Sequence, residues 1–229
     1  MSKRRKKRKR PNPKRVSFIQ ERTKVQKEDD VATLGYVEYE ITDEPIHDRN
    51  YKELPVHVRE QIEELYYMVH QNPSQAIAAL EDLIQEYPRI PQLYNFLSVA
   101  YSGSGAHDKV EAIVKKAYEQ NPHYLFAKCN YAEICLQKGE IQKIPQIFDN
   151  KFDLKLLYPE RNRFHISEIV GFAAIMGLYF CAVDQIQTAE LYYKILRELA
   201  PGHIMTNRLQ LVLSPSVVVN ELRKSPAGL

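Results

Sequence analysis

Seven histidines, three cysteines and 29 carboxylates are the side chains here that could shuttle protons, attack a carbonyl or hold a metal. The histidines (His47, His57, His70, His107, His123, His165 and His203) are scattered, with no His-x3-His pair to chelate from one helix face. Cys129, Cys135 and Cys181 form no Cys-x2-Cys, so no zinc site is expected. Glu111, Glu119, Glu133 and Glu190 fall on ordinary exposed helix faces. Gly103-Ser104-Gly105 reads as a turn between helices, so there is no glycine-rich cradle for a phosphate. No catalytic residue, metal ligand or cofactor site is assigned, and the chain is expected not to be an enzyme.

Binding chemistry is better represented. Lys3, Arg4, Arg5, Lys6, Lys7, Arg8, Lys9 and Arg10 form an unbroken cationic run, joined by Lys14 and Arg15, with no acid before Arg15. Such an arm suits phosphates: RNA, a ribosome, an anionic membrane surface or, in a eukaryote, a nuclear address. No aromatic precedes Phe18, so base stacking is not expected. A solvated, solubilising tail has the same composition. The net charge is only +3, so the arm's ten cations are carried by an acidic body. Arg15-Val16-Ser17-Phe18 resembles the short docking motif of type-1 protein phosphatase, and Lys14-Arg15-x-Ser17 resembles a basophilic kinase site.

Positioning of any site falls to the rest of the 229 residues. Sparse, odd-numbered cysteines argue for a reducing compartment, and the basic start runs into Pro11-Asn12-Pro13 and not into an apolar signal core. A soluble cytoplasmic protein is expected. The longest apolar run, Ile169 to Val183, is short of the roughly 20 residues of a span and reads as a buried helix, so no integral membrane association is expected. Residues 1–30 are poor in large apolar groups and are expected to be disordered, with transient helix near Phe18 to Lys27. In 31–54, Val37, Tyr39 and Ile41 alternate with Glu38 and Glu40, an extended stretch with no evident sheet to join.

From about Pro55 the period becomes helical. Ile62, Leu65, Tyr66 and Val69 form a stripe, Asn72-Pro73-Ser74 a stop and start, and Ala76, Leu80 and Leu83 the next helix. Pro88 and Pro122 are 34 residues apart, as are Gly105 and Gly139. Between the prolines run Tyr94-x2-Leu97-Ser98-x2-Tyr101 and Val110-x3-Val114; later come Tyr131-Ala132-x2-Cys135 with Ile144-x3-Phe148, then Ala173-x2-Met176-Gly177-x2-Phe180 with Ala189-x3-Tyr193. Pro145 sits in the first turn of its helix, and Leu156 stands where a closing proline belongs. Pro201 lies two periods plus 11 residues beyond Pro122, which places an insertion at 152–166.

Residues 57–213 therefore resemble the tetratricopeptide-repeat family. The resemblance implies an all-α, right-handed superhelix of about four helical hairpins (57–90, 91–124, 125–158 and 170–203). A covering helix at 204–213 and a short helix with tail at 214–229 would come next. First helices would line a concave groove that commonly holds a peptide, with Ser98, Ala132 and Gly177 allowing close helix approach. Helical spacing then puts Gln92, Asn95, Val99 and Ser102, then Phe126, Cys129, Asn130 and Glu133, then Gly171, Ala174, Ile175 and Leu178 along it. Polarity falls along that series, so one end should be greasy. Either an apolar segment of a partner protein or an internal segment, Val37 to Ile41 or the C-terminal helix, would occupy it. Some family members clamp acidic chaperone tails through groove cations. Asn130 fits such a clamp, but Gly171 and Ile175 stand where cations are needed. Arg161, Asn162, Arg163 and His165 make a basic spot that would read an acidic partner or solvate a loop. The expected role is a non-catalytic adaptor or scaffold, the alternatives a nucleic-acid- or ribosome-associated factor and a self-associating solenoid.

Overall fold

A computed structural model describes the backbone of residues 15–18 and 37–214, with side chains from Tyr39 onward. Strands β1 (Arg15–Phe18) and β2 (Val37–Thr42) precede a one-turn helix, α1 (Arg49–Lys52). Five longer helices come after it: α2 (Val56–Gln71), α3 (Pro73–Glu86), α4 (Pro91–Gly103), α5 (His107–Gln120) and α6 (Leu125–Gln137). A 3-10 turn at Ile141–Lys143 leads to the one-turn helices α7 (Ile144–Ile147) and α8 (Leu154–Leu157), then β3 (Arg163–His165). Helices α9 (Ile166–Ala182), α10 (Ile186–Leu199) and α11 (Ile204–Leu213) complete the described chain.

The chain turns at backbone positions that its residue types dictate. After α4 and α6, Gly105 and Gly139 adopt φ of 80° and 71°, with open space where a side chain would stand. Left-handed backbone, not crowding, is thus what selects glycine. Each ending carries the same six-to-one bond: Ala106 N–H to the Tyr101 carbonyl (2.9 Å) and Glu140 N–H to that of Cys135 (2.8 Å). After α9 the same turn recurs on Asp184, φ 60°, with Gln185 N–H bonded to the Phe180 carbonyl (2.8 Å). Aspartate tolerates this region, and for that reason the third turn has no glycine to mark it. At the other ends, Tyr87, Asn121 and Ala200 cap α3, α5 and α10 with ψ near 60°, each just before a proline that disfavours further helix.

From α2 to α6 and from α9 to α11 each helix packs on the next, and first helices also pack on one another: α2 on α4, α4 on α6, α6 on α9, and α9 on α11. Two apolar clusters result. One gathers α1 to α5 around Leu80, Leu93, Tyr94 and Leu97, with Ala127 of α6 joining it. The other gathers α6 to α11 around Phe148, Phe164, Ile169, Met176 and Leu196. Tyr66, placed on the apolar stripe of α2 by spacing, is instead 48% exposed and leans on Phe96; Val58 completes the buried stripe.

The fold is mostly helical, consistent with the expected all-α repeat class, with one small sheet added to it. The 152–166 region contributes β3, and β2 pairs with it in parallel (Ile41 opposite Phe164) while β1 pairs antiparallel on the other side (Val16 opposite Tyr39). The alternating stretch therefore has a sheet to join. β1 also puts four residues of the stretch expected to be disordered into a strand. The cationic run Lys3 to Arg10, Lys14, and, apart from Phe18 and Ser214, the helices expected at 18–27 and 214–229 lie outside the described residues.

Burial raises the tyrosine pKa at Tyr39, Tyr124, Tyr158 and Tyr192, and Tyr101, hydrogen-bonded to Glu81, is pushed up to about 12. The unfolded chain ionises its tyrosines near pH 10 and the folded one does not, so this stability is complete below about pH 10 and is lost as pH rises further. Burial likewise raises the thiols of Cys129, Cys135 and Cys181, which act in the same sense from a lower pH, while burial lowers Lys128, which acts in the opposite sense. Urea midpoints should therefore begin to fall near pH 9, as unfolded thiols ionise, and fall more steeply above about pH 10. Gly105→Ala and Gly139→Ala should each cost about 1–2 kcal/mol in the same assay, while Asp184→Gly costs nothing or stabilises.

Candidate functional site

The twelve groove candidates separate into two groups. Asn95, Val99 and Ser102 of α4, with Asn130 and Glu133 of α6, line one open cleft of about 530 Å³ whose far wall is His107, Val110, Glu111 and Val114 of α5. Asn130 Nδ2 donates to Asn95 Oδ1 at 2.9 Å, joining the two helices across its floor. Lys138 and Glu111 form an ion pair at its rim (2.5 Å). Gln137 Nε2 (2.9 Å) and Arg208 Nη1 of α11 (2.6 Å) both donate to Glu133 Oε1. Glu133 Oε2 and Gln92 Oε1 are buried with no hydrogen-bond partner among the described residues. Sequence spacing had not indicated Val110 or Val114 as lining, because the α5 wall belongs to a second helix, nor Ile134, which follows Glu133 on α6.

The other group does not form an open surface. Ala174, Ile175 and Leu178 are buried and Gly171 half-buried, in the same apolar cluster as Ile41, Leu154, Leu157 and Phe164. Helix α11 packs on α9 as well: a side chain at Gly177 would collide with Leu209. The greasy end of the groove is thus filled by this chain's own insertion, strand β2 and α11. Cys129, expected to face the groove, is also buried, and burial pushes its thiol pKa up, the reverse of an activated nucleophile. Phe126 is half-buried against Tyr124.

The basic spot is likewise taken up internally. Arg161 makes a two-pronged pair with buried Glu168 (3.0 and 2.7 Å) and lies over the Phe164 ring at 4.3 Å. Glu168 also accepts from the His165 N–H (2.9 Å), closing a capping box at the start of α9. Arg163 reaches Thr42, Glu40 and Glu44, fastening β2 to β3. Another buried cation, Lys128, donates to the Ile147 carbonyl and sits 3.6 Å from Asp149, pinning the end of α7. Lysine at a packing position gave no hint of this, since the carbonyl it serves is exposed by the shortness of α7.

Among the described residues no group of three or more His, Cys, Asp and Glu could hold a metal, and no helix is long and apolar enough to cross a membrane.

With that geometry in view, comparison adds one relative. Over 86 residues, 38% of its length, the chain is 31% identical to the TPR repeat-containing protein YvcD of Bacillus subtilis (strain 168). The aligned part spans 17% of that protein. No protein-family model matches the chain, and no solved structure does.

Removing the carboxylate that Arg161 and the α9 cap share should be expensive. Glu168→Ala is expected to cost about 2–3 kcal/mol in urea unfolding, because it strands a partly buried guanidinium and an unpaired N–H. A loss under about 0.5 kcal/mol would show the pair to be incidental.

Proposed function

We propose that this chain is a non-catalytic protein-binding module whose ligand is an extended segment of another protein, laid in the cleft between α4 and α6. The observation that carries the reading is the Asn95–Asn130 pair on the cleft floor. Their mutual bond uses one hydrogen and one acceptor and leaves amide groups of both kinds for a ligand. An extended backbone offers one donor and one acceptor per residue, which matches such amides. Val99, Val110, Val114 and Ile134 supply apolar contact for its side chains. The similarity to a TPR repeat-containing protein agrees with a role in protein binding. Adaptor or scaffold is the finer form of this role. The arm from Lys3 to Arg15 would add attraction to an anionic partner without setting specificity.

An arrayed library of unstructured peptides, probed with the whole chain, tests this. Peptides that bind should lose affinity by about tenfold or more for Asn95→Ala/Asn130→Ala, the equivalent of one or two lost hydrogen bonds. Val99→Asp should act in the same direction, and deleting residues 2–15 should leave peptide affinity at high salt unchanged. An array with no binders, or binders indifferent to both cleft variants, would sink the proposal. Binding of RNA that vanishes with the arm would favour the nucleic-acid alternative instead.

A further inference from the structure

Beside the cleft, the first hairpin leaves aromatic rings in solvent. On α2, Tyr66 is 48% exposed and Tyr67 64% exposed. They meet edge to face with ring centroids 5.3 Å apart. Tyr66 also lies 5.6 Å from His70 and 5.6 Å from half-buried Phe96 on α4. Phe96 stands four residues after Gln92 and three before Val99, so it shares their side of α4. Val99 lines the cleft, and the rings therefore form a ledge running into it and not a detached patch.

Carboxylates border this ledge. Glu63 precedes Tyr66 by three residues and Tyr67 by four, which places it beside both rings on the surface of α2, with Glu60 and Glu64 near it. All three are exposed, and none forms an ion pair or hydrogen bond among the described residues. Helix α3, packed on α2, adds Glu81, Asp82 and Glu86 and no base, and α4 adds no charged residue. Against them stand half-buried Arg59, His57 and His70 on α2, and Arg89 in the link to α4. An excess of negative charge next to exposed ring faces attracts an ammonium or guanidinium group and repels a carboxylate. A purely apolar anchor would crowd water away from the carboxylates without pairing them.

We propose that this ledge receives a lysine or arginine side chain of the partner segment, its alkyl stem on Tyr66 and Phe96 and its charge directed to Glu63. The proposal rests on the cleft reading and narrows the partner to one whose bound segment is basic. Packed neighbouring helices stand about 8–10 Å apart, the length of about three extended residues. A segment leaving the cleft over α4 toward α2 thus carries its cation about three positions from the part seated on Asn95 and Asn130. Ring faces and carboxylates together should favour that residue about tenfold over an uncharged analogue.

Arrays of unstructured peptides, scanned with lysine, arginine, norleucine and glutamate at each position and probed with the whole chain, test this. At one position lysine and arginine should bind about tenfold more tightly than norleucine, with glutamate weaker still. Glu63→Gln/Glu64→Gln, which alters only exposed side chains, should bring lysine down to the norleucine level, and Tyr66→Ala/Tyr67→Ala should also remove the preference. Asn95→Ala/Asn130→Ala should instead weaken every peptide and leave the lysine-to-norleucine ratio unchanged. A ratio that responds to the ledge variants while the asparagine variant changes nothing would remove the cleft reading and leave the cation-binding ledge standing. Norleucine equal to lysine in the unaltered chain would overturn the proposal, as would a lysine preference that survives both ledge variants. So would a gain of about tenfold for lysine peptides on deleting residues 2–15 at the same salt, because the chain's own cationic run would then be the occupant. An array without binders would sink both readings.

Discussion

A helix that is apolar around nearly its whole circumference must be enclosed, and α9 is that helix. From Glu168 to Phe180 it buries all but Gly171 and Tyr179. One neighbour cannot cover such a cylinder; α6, α10 and α11 pack on it, and β3 leads directly into it. The insertion and the small sheet serve this requirement. Phe164 on β3 and Ile41 on β2 join the same apolar cluster, and the sheet bonds supply partners for backbone that would otherwise enter a core unsatisfied. Charged residues then fasten the cover at its edge, with Arg161 on Glu168 and Arg163 on Glu40 and Glu44.

The same requirement explains where sequence reasoning succeeded and where it stopped. Turn positions are local: a glycine at positive φ or a residue before proline declares itself, and the 34-residue spacings of Gly105 and Gly139 or Pro88 and Pro122 recur as equivalent backbone turns. Packing positions such as Tyr94, Leu97, Met176 and Phe180 also derive from local period, and all four are buried. Which helix faces remain open is not local. Spacing puts Ile175 and Leu178 on the same side of their helix as Asn95 and Val99 on theirs, but cannot say what else reaches that side. The covering strand comes from more than 120 residues upstream, as Arg163 and Thr42 are 121 apart. Their polarity was the available signal. A row of Ala, Ile and Leu on a would-be groove is more economically explained by a cover within the chain than by a waiting ligand.

Polarity also sorts the functional possibilities. An interior seam can use Ile175 and Leu178, but it has little use for two asparagines facing each other at 2.9 Å with amide groups to spare. Polar groups in a half-open cleft retain water that a bound backbone can replace bond for bond, so a ligand gains there without stranding either side. The open half thus keeps polar groups within reach of solvent, and the closed half is built for stability.

The two halves meet at Glu133. Its carboxylate lies in the cleft, yet one oxygen is held by Arg208 from α11, the helix that packs over α9. That oxygen is thereby paired while the other stays buried and unpartnered among the described residues, so the partner of this carboxylate depends on where α11 sits. Gly177 fixes that position from below, since a side chain there would collide with Leu209. A small residue that looks like ordinary helix-packing economy thus also bears on the Arg208–Glu133 pair beside the α4–α6 cleft, through the neighbouring leucine on α11.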